Sequence, residues 1–181
     1  MQFTKDWTSH FTDSWLTILK PLIGKKIQGI EIGCYEGRST VWFMQHIFTH
    51  NLSHLYCIDP DWDKAAGKRF DVNIVEGGYA RKVSKIISDA WPVMSRFDLS
   101  VDFIYLDGNH EGWHVLEDAV TAIRALKVGG ILLFDDYEIP AKATMRHTPR
   151  PAIDAFCLLY DDYVEVIYQG YQLAVRKTKS L

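Results

Sequence analysis

The sequence predicts an α/β domain built on a mixed, mainly parallel β-sheet, and three observations carry that reading. Short apolar runs of strand length alternate along the chain with stretches whose apolar residues recur at helical spacing. One such run, Ile27, Ile30 and Ile32, opens directly into Gly33 and Gly37 before a helical pattern begins near Ser39. At the far end, two alternating runs are joined at Gln169-Gly170, which reads as an antiparallel hairpin. Strands alternating with helices imply a parallel sheet covered on both faces, a doubly wound arrangement, and the hairpin makes the sheet mixed.

Taken in order, Trp7 to Leu19 carries Trp7, Phe11, Trp15, Ile18 and Leu19 on one face, an amphipathic helix that Pro21 and Gly24 end. The first strand follows, then a helix from Ser39 to Thr49. His54 to Asp59 is a second strand, stopped by Pro60, and Asp61 to about Asn73 reads as a short helix. Val75 to Ala80 is ambiguous. Lys82 to Ile87 alternates as a third strand, and Ser88-Asp89-Ala90 opens a short helical piece that tolerates Pro92 in its first turn. Val101 to Leu106 is the strongest strand in the chain. His114 to Lys127 is a helix ended by Gly129-Gly130, and Ile131 to Phe134 is a buried strand. Glu138 to Pro151 reads as a loop with three prolines, Ala152 to Tyr160 as a helix, and Tyr163 to Tyr168 with Tyr171 to Arg176 as the closing strands.

Composition bounds the function. The 181 residues suit a single domain, with residues 1–24 as an N-terminal helical segment and 25–181 as the core. A net charge of −3 leaves no basic footprint for nucleic acid, and no apolar run reaches the length of a membrane span. The N-terminus lacks the apolar core of a signal peptide, and Cys34, Cys57 and Cys157 form no metal-like spacing and read as reduced structural thiols. The expectation is a cytoplasmic protein with a small-molecule partner, no nucleic acid and no membrane; the sequence leaves open whether it forms a homo-oligomer.

In doubly wound sheets the ligand lies beyond the carboxyl ends of the strands. The residues collected there are Glu31, Asp59, Ser88 with Asp89, Asp107, and Asp135 with Asp136. Carboxylates are costly to bury without partners, so this repetition calls for a cationic or hydroxyl-rich ligand. Asp59, at the end of the second strand and in register with the glycine loop, is placed to accept hydrogen bonds from ribose hydroxyls. Asp107, Asp135 and Asp136 offer the oxygen ligands that Mg²⁺ or another divalent cation prefers. Such an ion would hold and acidify an acceptor hydroxyl. His110, three residues beyond Asp107, is a candidate general base, with a bystander role equally open.

These motifs carry a resemblance. EIGCYEGRST, YLDGNH, LEDAVTAIRALKVGG, ILLFDDY and YQLAVRK resemble the class I S-adenosylmethionine-dependent methyltransferases. Within them they are similar to the methyltransferase domain 24 group, related to catechol- and macrocin-type O-methyltransferases. The similarity runs from about residue 26 to residue 177. It implies a Rossmann-like seven-stranded mixed sheet whose last strand is antiparallel. It implies S-adenosylmethionine bound at Glu31, Gly33, Tyr35, Gly37 and Ser39, with Asp59 on the ribose, Ser88 and Asp89 around the adenine, and Asp107 nearby. It places a metal on Asp107, Asp135 and Asp136. The sequence departs from the pattern at Asn109, where macrocin-type enzymes tend to have a second acid, and in lacking a lysine between Asn109 and Leu116.

The expected activity is metal-assisted O-methylation of a small hydroxylated acceptor, with Asp107 and His110 as catalytic residues. The acceptor is expected between the N-terminal helix and the loop Glu138 to Pro151, where Trp7, Trp15, Trp62, Trp113, Arg146 and His147 are candidates for its walls. A non-catalytic adenosine-ligand module or regulatory subunit is the alternative that Asn109 keeps open. An NAD-linked oxidoreductase is disfavoured by Tyr35 in the loop and by the pair Asp135-Asp136.

Overall fold

The computed structural model describes residues 1–60, 65–96, 100–139 and 148–181. Two compact units are resolved, Met1–Asp89 and Ala90–Leu181. The strands belong to a seven-stranded sheet with the order β3-β2-β1-β4-β5-β7-β6.

In the first unit, β1 (Gln28–Ile32), β2 (His54–Ile58) and β3 (Val83–Ile86) are parallel, with β2 central: Ile30 lies opposite Tyr56, and Cys57 opposite Lys85. Ile30, Leu55, Cys57 and Ile58 are fully buried, as the uninterrupted apolar runs require. Helix α2 (Arg38–His46) buries Val41, Phe43 and Met44. Trp15 of α1 (Thr12–Leu19) lies against Phe43 at 4.6 Å between ring centres and is itself 1% exposed. That contact makes Trp15 core rather than a wall for an acceptor.

Helix α1 is shorter than its apolar spacing predicts. Asp6 Oδ1 accepts the backbone N–H groups of Thr8 and Ser9, a local turn that competes with helix and leaves Trp7 exposed. A 3-10 turn, Lys20–Leu22, carries Pro21 at the other end. Helix α3 (Ala66–Glu76) runs past its expected end, into the ambiguous stretch, and Gly77 N–H closes on Asn73 O before Gly78 turns the chain at φ +78°. Asp61 to Lys64, including Trp62, lie outside the described residues.

The second unit holds the short α4 (Ala90–Met94), β4 (Val101–Leu106), α5 (Gly112–Ala125), β5 (Leu126–Phe134), α6 (Pro149–Leu159), β6 (Val164–Gln169) and β7 (Leu173–Lys177). β4 and β5 are parallel, and β7 is antiparallel to both β5 and β6. Two sequence expectations are corrected here. Gly129-Gly130 do not end α5; they lie inside β5, where Val101 faces Leu126 but Phe103 faces Ile131, so residues 127–130 stand against the single Asp102 and β5 carries three extra residues. Gly129 takes φ +84°, and a Cβ at Gly130 would sit 2.8 Å from the Leu126 side chain, so the glycines accommodate the irregularity. Pro149 and Pro151 belong to α6 rather than to a loop, because the first turn of a helix needs no donors at those positions. Residues 140–147, with Arg146 and His147, lie outside the described residues. No described helix is long and apolar enough to cross a membrane.

Candidate functional site

Each unit gathers part of the predicted site at the carboxyl ends of its own parallel strands. In the first unit the chain leaves β1 through Gly33 (φ +81°), Tyr35 (φ +46°) and Gly37 (φ +79°). A left-handed conformation at a tyrosine is uncommon and requires external support. Asp59 supplies it: its Oδ2 accepts the N–H groups of both Cys34 and Tyr35 at 2.9 Å. Gly33 N–H closes on Ile58 O at 3.0 Å, drawing the loop onto the end of β2. The aspartate that the sequence assigns to a ribose thus also shapes the loop.

Glu31 is fully buried. Ser39 Oγ donates to one of its oxygens, and Thr40 Oγ1 donates to the other at 2.6 Å. Burial lifts the carboxyl to about 7, against the pull of those two hydroxyls. Glu31 and Ser39 are therefore brought together, joining the end of β1 to the first turn of α2. Gly37 is the N-cap of that helix, and a Cβ there would lie 2.7 Å from the Phe70 ring of α3. Tyr35 is half-exposed and stands 5.3 Å from the exposed Trp7 ring. Beyond β3, Ser88 is partly exposed and Asp89 exposed. Cys34 and Cys57 are free and buried, and burial pushes both thiols up. Helix α2 offers its positive end next to a glycine turn, and its donors suit the carboxylate of an amino-acid-bearing cofactor.

In the second unit, Asp107 follows β4, and Asp135 with Asp136 follow β5, Asp135 N–H closing on Leu106 O at 2.9 Å. The pair then diverges. Asp135 turns inward, accepting Tyr105 Oη–H at 2.7 Å and Gln172 Nε2–H at 2.8 Å, and burial raises it above the usual carboxylate range. Asp136, at φ +54°, turns the other way. Its Oδ1 accepts the Tyr171 hydroxyl at 2.6 Å, and its Oδ2 pairs with His110 Nδ1 at 2.6 Å. Burial raises Asp136, but the His110 and Tyr171 hydrogen bonds together hold it below its ordinary value. The same Asp136 contact lifts His110.

Asp107, His110 and Asp136 each bring one ligand atom within 4.8 Å of the others. Two carboxylates and an imidazole fit a divalent cation, and the nitrogen suits Mn²⁺, Fe²⁺ or Zn²⁺ better than Mg²⁺. Among the described residues, His110 joins Asp107 and Asp136 in this group while Asp135 does not. Asp107, His110 and Asp135 line one cleft with Val115 and Pro149. Asn109 is occupied locally, its Oδ1 accepting Glu111 N–H at 2.9 Å ahead of α5. Trp113 is exposed on α5 and stacked on His114 at 3.4 Å.

Sequence reasoning missed Tyr105, Tyr171 and Gln172. Tyr105 was accessible to it: two residues before Asp107 in a strand, it shares that residue's face. Tyr171 and Gln172 reach Asp136 and Asp135 across 35 and 37 positions, which no local pattern signals.

A protein-family model described as a methyltransferase domain matches residues 30–137, from the first strand through both acid-bearing strand ends. The chain belongs to that family. A solved relative of this methyltransferase domain is the O-methyltransferase TomG of Streptomyces achromogenes, involved in tomaymycin synthesis and in complex with SAM. It is 14% identical with a TM-score of 0.74, over 97% of this chain and 82% of that one. An O-methyltransferase of Bacillus cereus in complex with SAH is 15% identical with a TM-score of 0.72, over 97% and 84%. An rRNA methylase of Streptococcus thermophilus is 14% identical with a TM-score of 0.70, over 98% and 100%. At such identities the likeness is one of fold, and it is the class I methyltransferase fold. An uncharacterized protein of Acanthamoeba polyphaga mimivirus is 25% identical over 115 residues, 60% of this chain and 51% of that protein. The chain thus spans about half the length of that curated relative.

Proposed function

We propose that the protein transfers a methyl group from S-adenosylmethionine to the hydroxyl of a small acceptor, with a divalent cation held by Asp107, His110 and Asp136. The observation that carries the reading is the convergence of those three side chains in a methyltransferase-domain chain whose glycine loop is independently braced by Asp59 and Glu31. A cation held there would supply Lewis acidity to an acceptor oxygen.

The chain's own residues account for the rest. The loop from Gly33 to Gly37 and the start of α2 receive the methionine end of the donor, and Asp59 faces its ribose. Asp136 keeps His110 oriented through Nδ1 and is itself held by Tyr171. Asp135, through Tyr105 and Gln172, holds the end of β5 in place beside Asp107. Much of the rate comes from aligning the acceptor oxygen with the donor methyl. A net charge of −3 favours a small hydroxylated acceptor over a polyanionic one such as RNA.

Three measurements test this. Calorimetry is expected to show S-adenosylhomocysteine binding and no NAD binding; the reverse pattern sinks the donor assignment. Paramagnetic resonance of added Mn²⁺ is expected to show a bound ion that Asp107→Asn and Asp136→Asn each release; equal binding by the wild type and both variants removes the cation site. In a methyl-transfer screen of hydroxylated acceptors, chelator is expected to abolish the activity found and Mn²⁺ to restore it.

A further inference from the structure

One acid of the glycine loop has no part in the reaction just described. Glu36 is 2% exposed, yet its carboxylate is shared by three segments of the first unit. Its Oε2 accepts the Thr4 backbone N–H at 2.6 Å, and its Oε1 accepts the Thr4 hydroxyl at 2.7 Å. Arg69 Nε from α3 pairs with Oε1 at 2.5 Å. Asn73, one turn further along α3 and fully buried, joins the same partners. Its Nδ2 donates to Glu36 O and to Gln2 O, both at 2.9 Å, and its Oδ1 accepts Gln2 N–H at 2.7 Å. Arg38, the first residue of α2, pairs with Asp6 at 2.8 Å and lies over the Phe3 ring at 5.1 Å.

A buried carboxylate is costly unless its donors are supplied, and here the N-terminal segment supplies two of them. The loop it sits in needs outside support at Tyr35, whose left-handed backbone a residue with a side chain rarely adopts. Asp59 holds the loop through the amides of Cys34 and Tyr35, Asn73 holds the next residue through Glu36 O, and Thr4 meets the Glu36 carboxylate from the N-terminal side.

We propose that Glu36 is a positioning residue for the methyl donor: with Asn73 it clamps residues 2–4 onto the glycine loop, so donor binding and docking of the N-terminal segment are coupled. This rests on S-adenosylmethionine being the donor. Coupling is reciprocal, so whatever loosens the segment weakens the donor, and the donor in turn orders the segment.

The test uses the full chain, S-adenosylhomocysteine, and two variants. Glu36→Gln removes the charge that pairs with Arg69. Thr4→Val removes only the Thr4 hydroxyl, at an exposed position where folding is not at risk. Glu36→Gln is expected to weaken the ligand about ten-fold and Thr4→Val about five-fold. Glu165→Gln, on the exposed β6 pair with Arg176, is expected to change nothing. Hydrogen exchange of the Gln2 and Thr4 amides is expected to slow when the ligand is added. A purely structural Glu36 would lower the melting temperature while leaving both the affinity of the folded chain and that exchange unchanged, which would overturn the proposal. If the wild type takes up no S-adenosylhomocysteine, the donor assignment falls and this inference with it. If the wild type and both variants bind equally, the inference alone falls.

Discussion

Glu31 shows how one residue couples the loop to solution conditions. Its folded value of about 7 stands above its ordinary 4.5, chiefly through burial. The folded chain therefore holds a proton that the unfolded chain releases in that interval. This contribution to stability is fully present below about pH 4.5 and is lost as pH rises through 7, a change on the order of 3 kcal/mol. Glu31→Gln, whose amide can still meet the Ser39 and Thr40 hydroxyls, is expected to flatten that part of the profile. Denaturant unfolding of both proteins at pH 5 and pH 8 checks it: the stability difference between them shifts in favour of the variant at the higher pH. Gly37 gives a second prediction at this scale. Alanine there meets both a left-handed backbone, costing about 1–2 kcal/mol, and the Phe70 ring. Gly37→Ala is expected to lower stability by at least that amount in a denaturant titration and to weaken S-adenosylhomocysteine in calorimetry.

At the scale of elements, α5 ends by a device that local sequence does not announce. Lys177, the last residue of β7, is 5% exposed and donates to Ile123 O and Leu126 O, both at 2.7 Å. These are carbonyls that the end of a helix leaves without partners, so the cation serves the α5 terminus. Lys177→Met keeps the apolar stem but strips both carbonyls of a donor. It is expected to destabilise the fold by about 2 kcal/mol, read from urea unfolding. The glycines after α5, which look like a helix stop in sequence, instead serve β5. They were legible as conformationally special and illegible in purpose, because the register shift against β4 that they accommodate is set by pairing with another strand. Asp6 and the prolines of α6 teach the same point: the residue types are plain in sequence, but whether they start, stop or merely tolerate a helix depends on the turn around them.

At the scale of the whole chain, donor binding should register as global stability. A ligand at a hundred times its dissociation constant adds about 2.7 kcal/mol to the folded state. S-adenosylhomocysteine is accordingly expected to raise the melting temperature in a concentration-dependent way and NAD to leave it unmoved, as differential scanning fluorimetry would record. What the sequence by itself determined was the α/β class, all seven strands, the glycine loop, the acids at the strand ends and the family those motifs belong to. The elements and the loop are legible because periodicity and turn chemistry act over a few residues, and the family through the resemblance of its motifs. Tertiary structure alone decided which neighbour each acid meets. Asp135 goes to Tyr105 and Gln172, while His110 joins Asp107 and Asp136. Asp59, beyond β2, is drawn to the amides of the glycine loop beyond β1, and Glu36 to the N-terminal segment. The physical reason is that a buried carboxylate takes whichever donors the fold delivers, and those come from residues as many as 37 positions away.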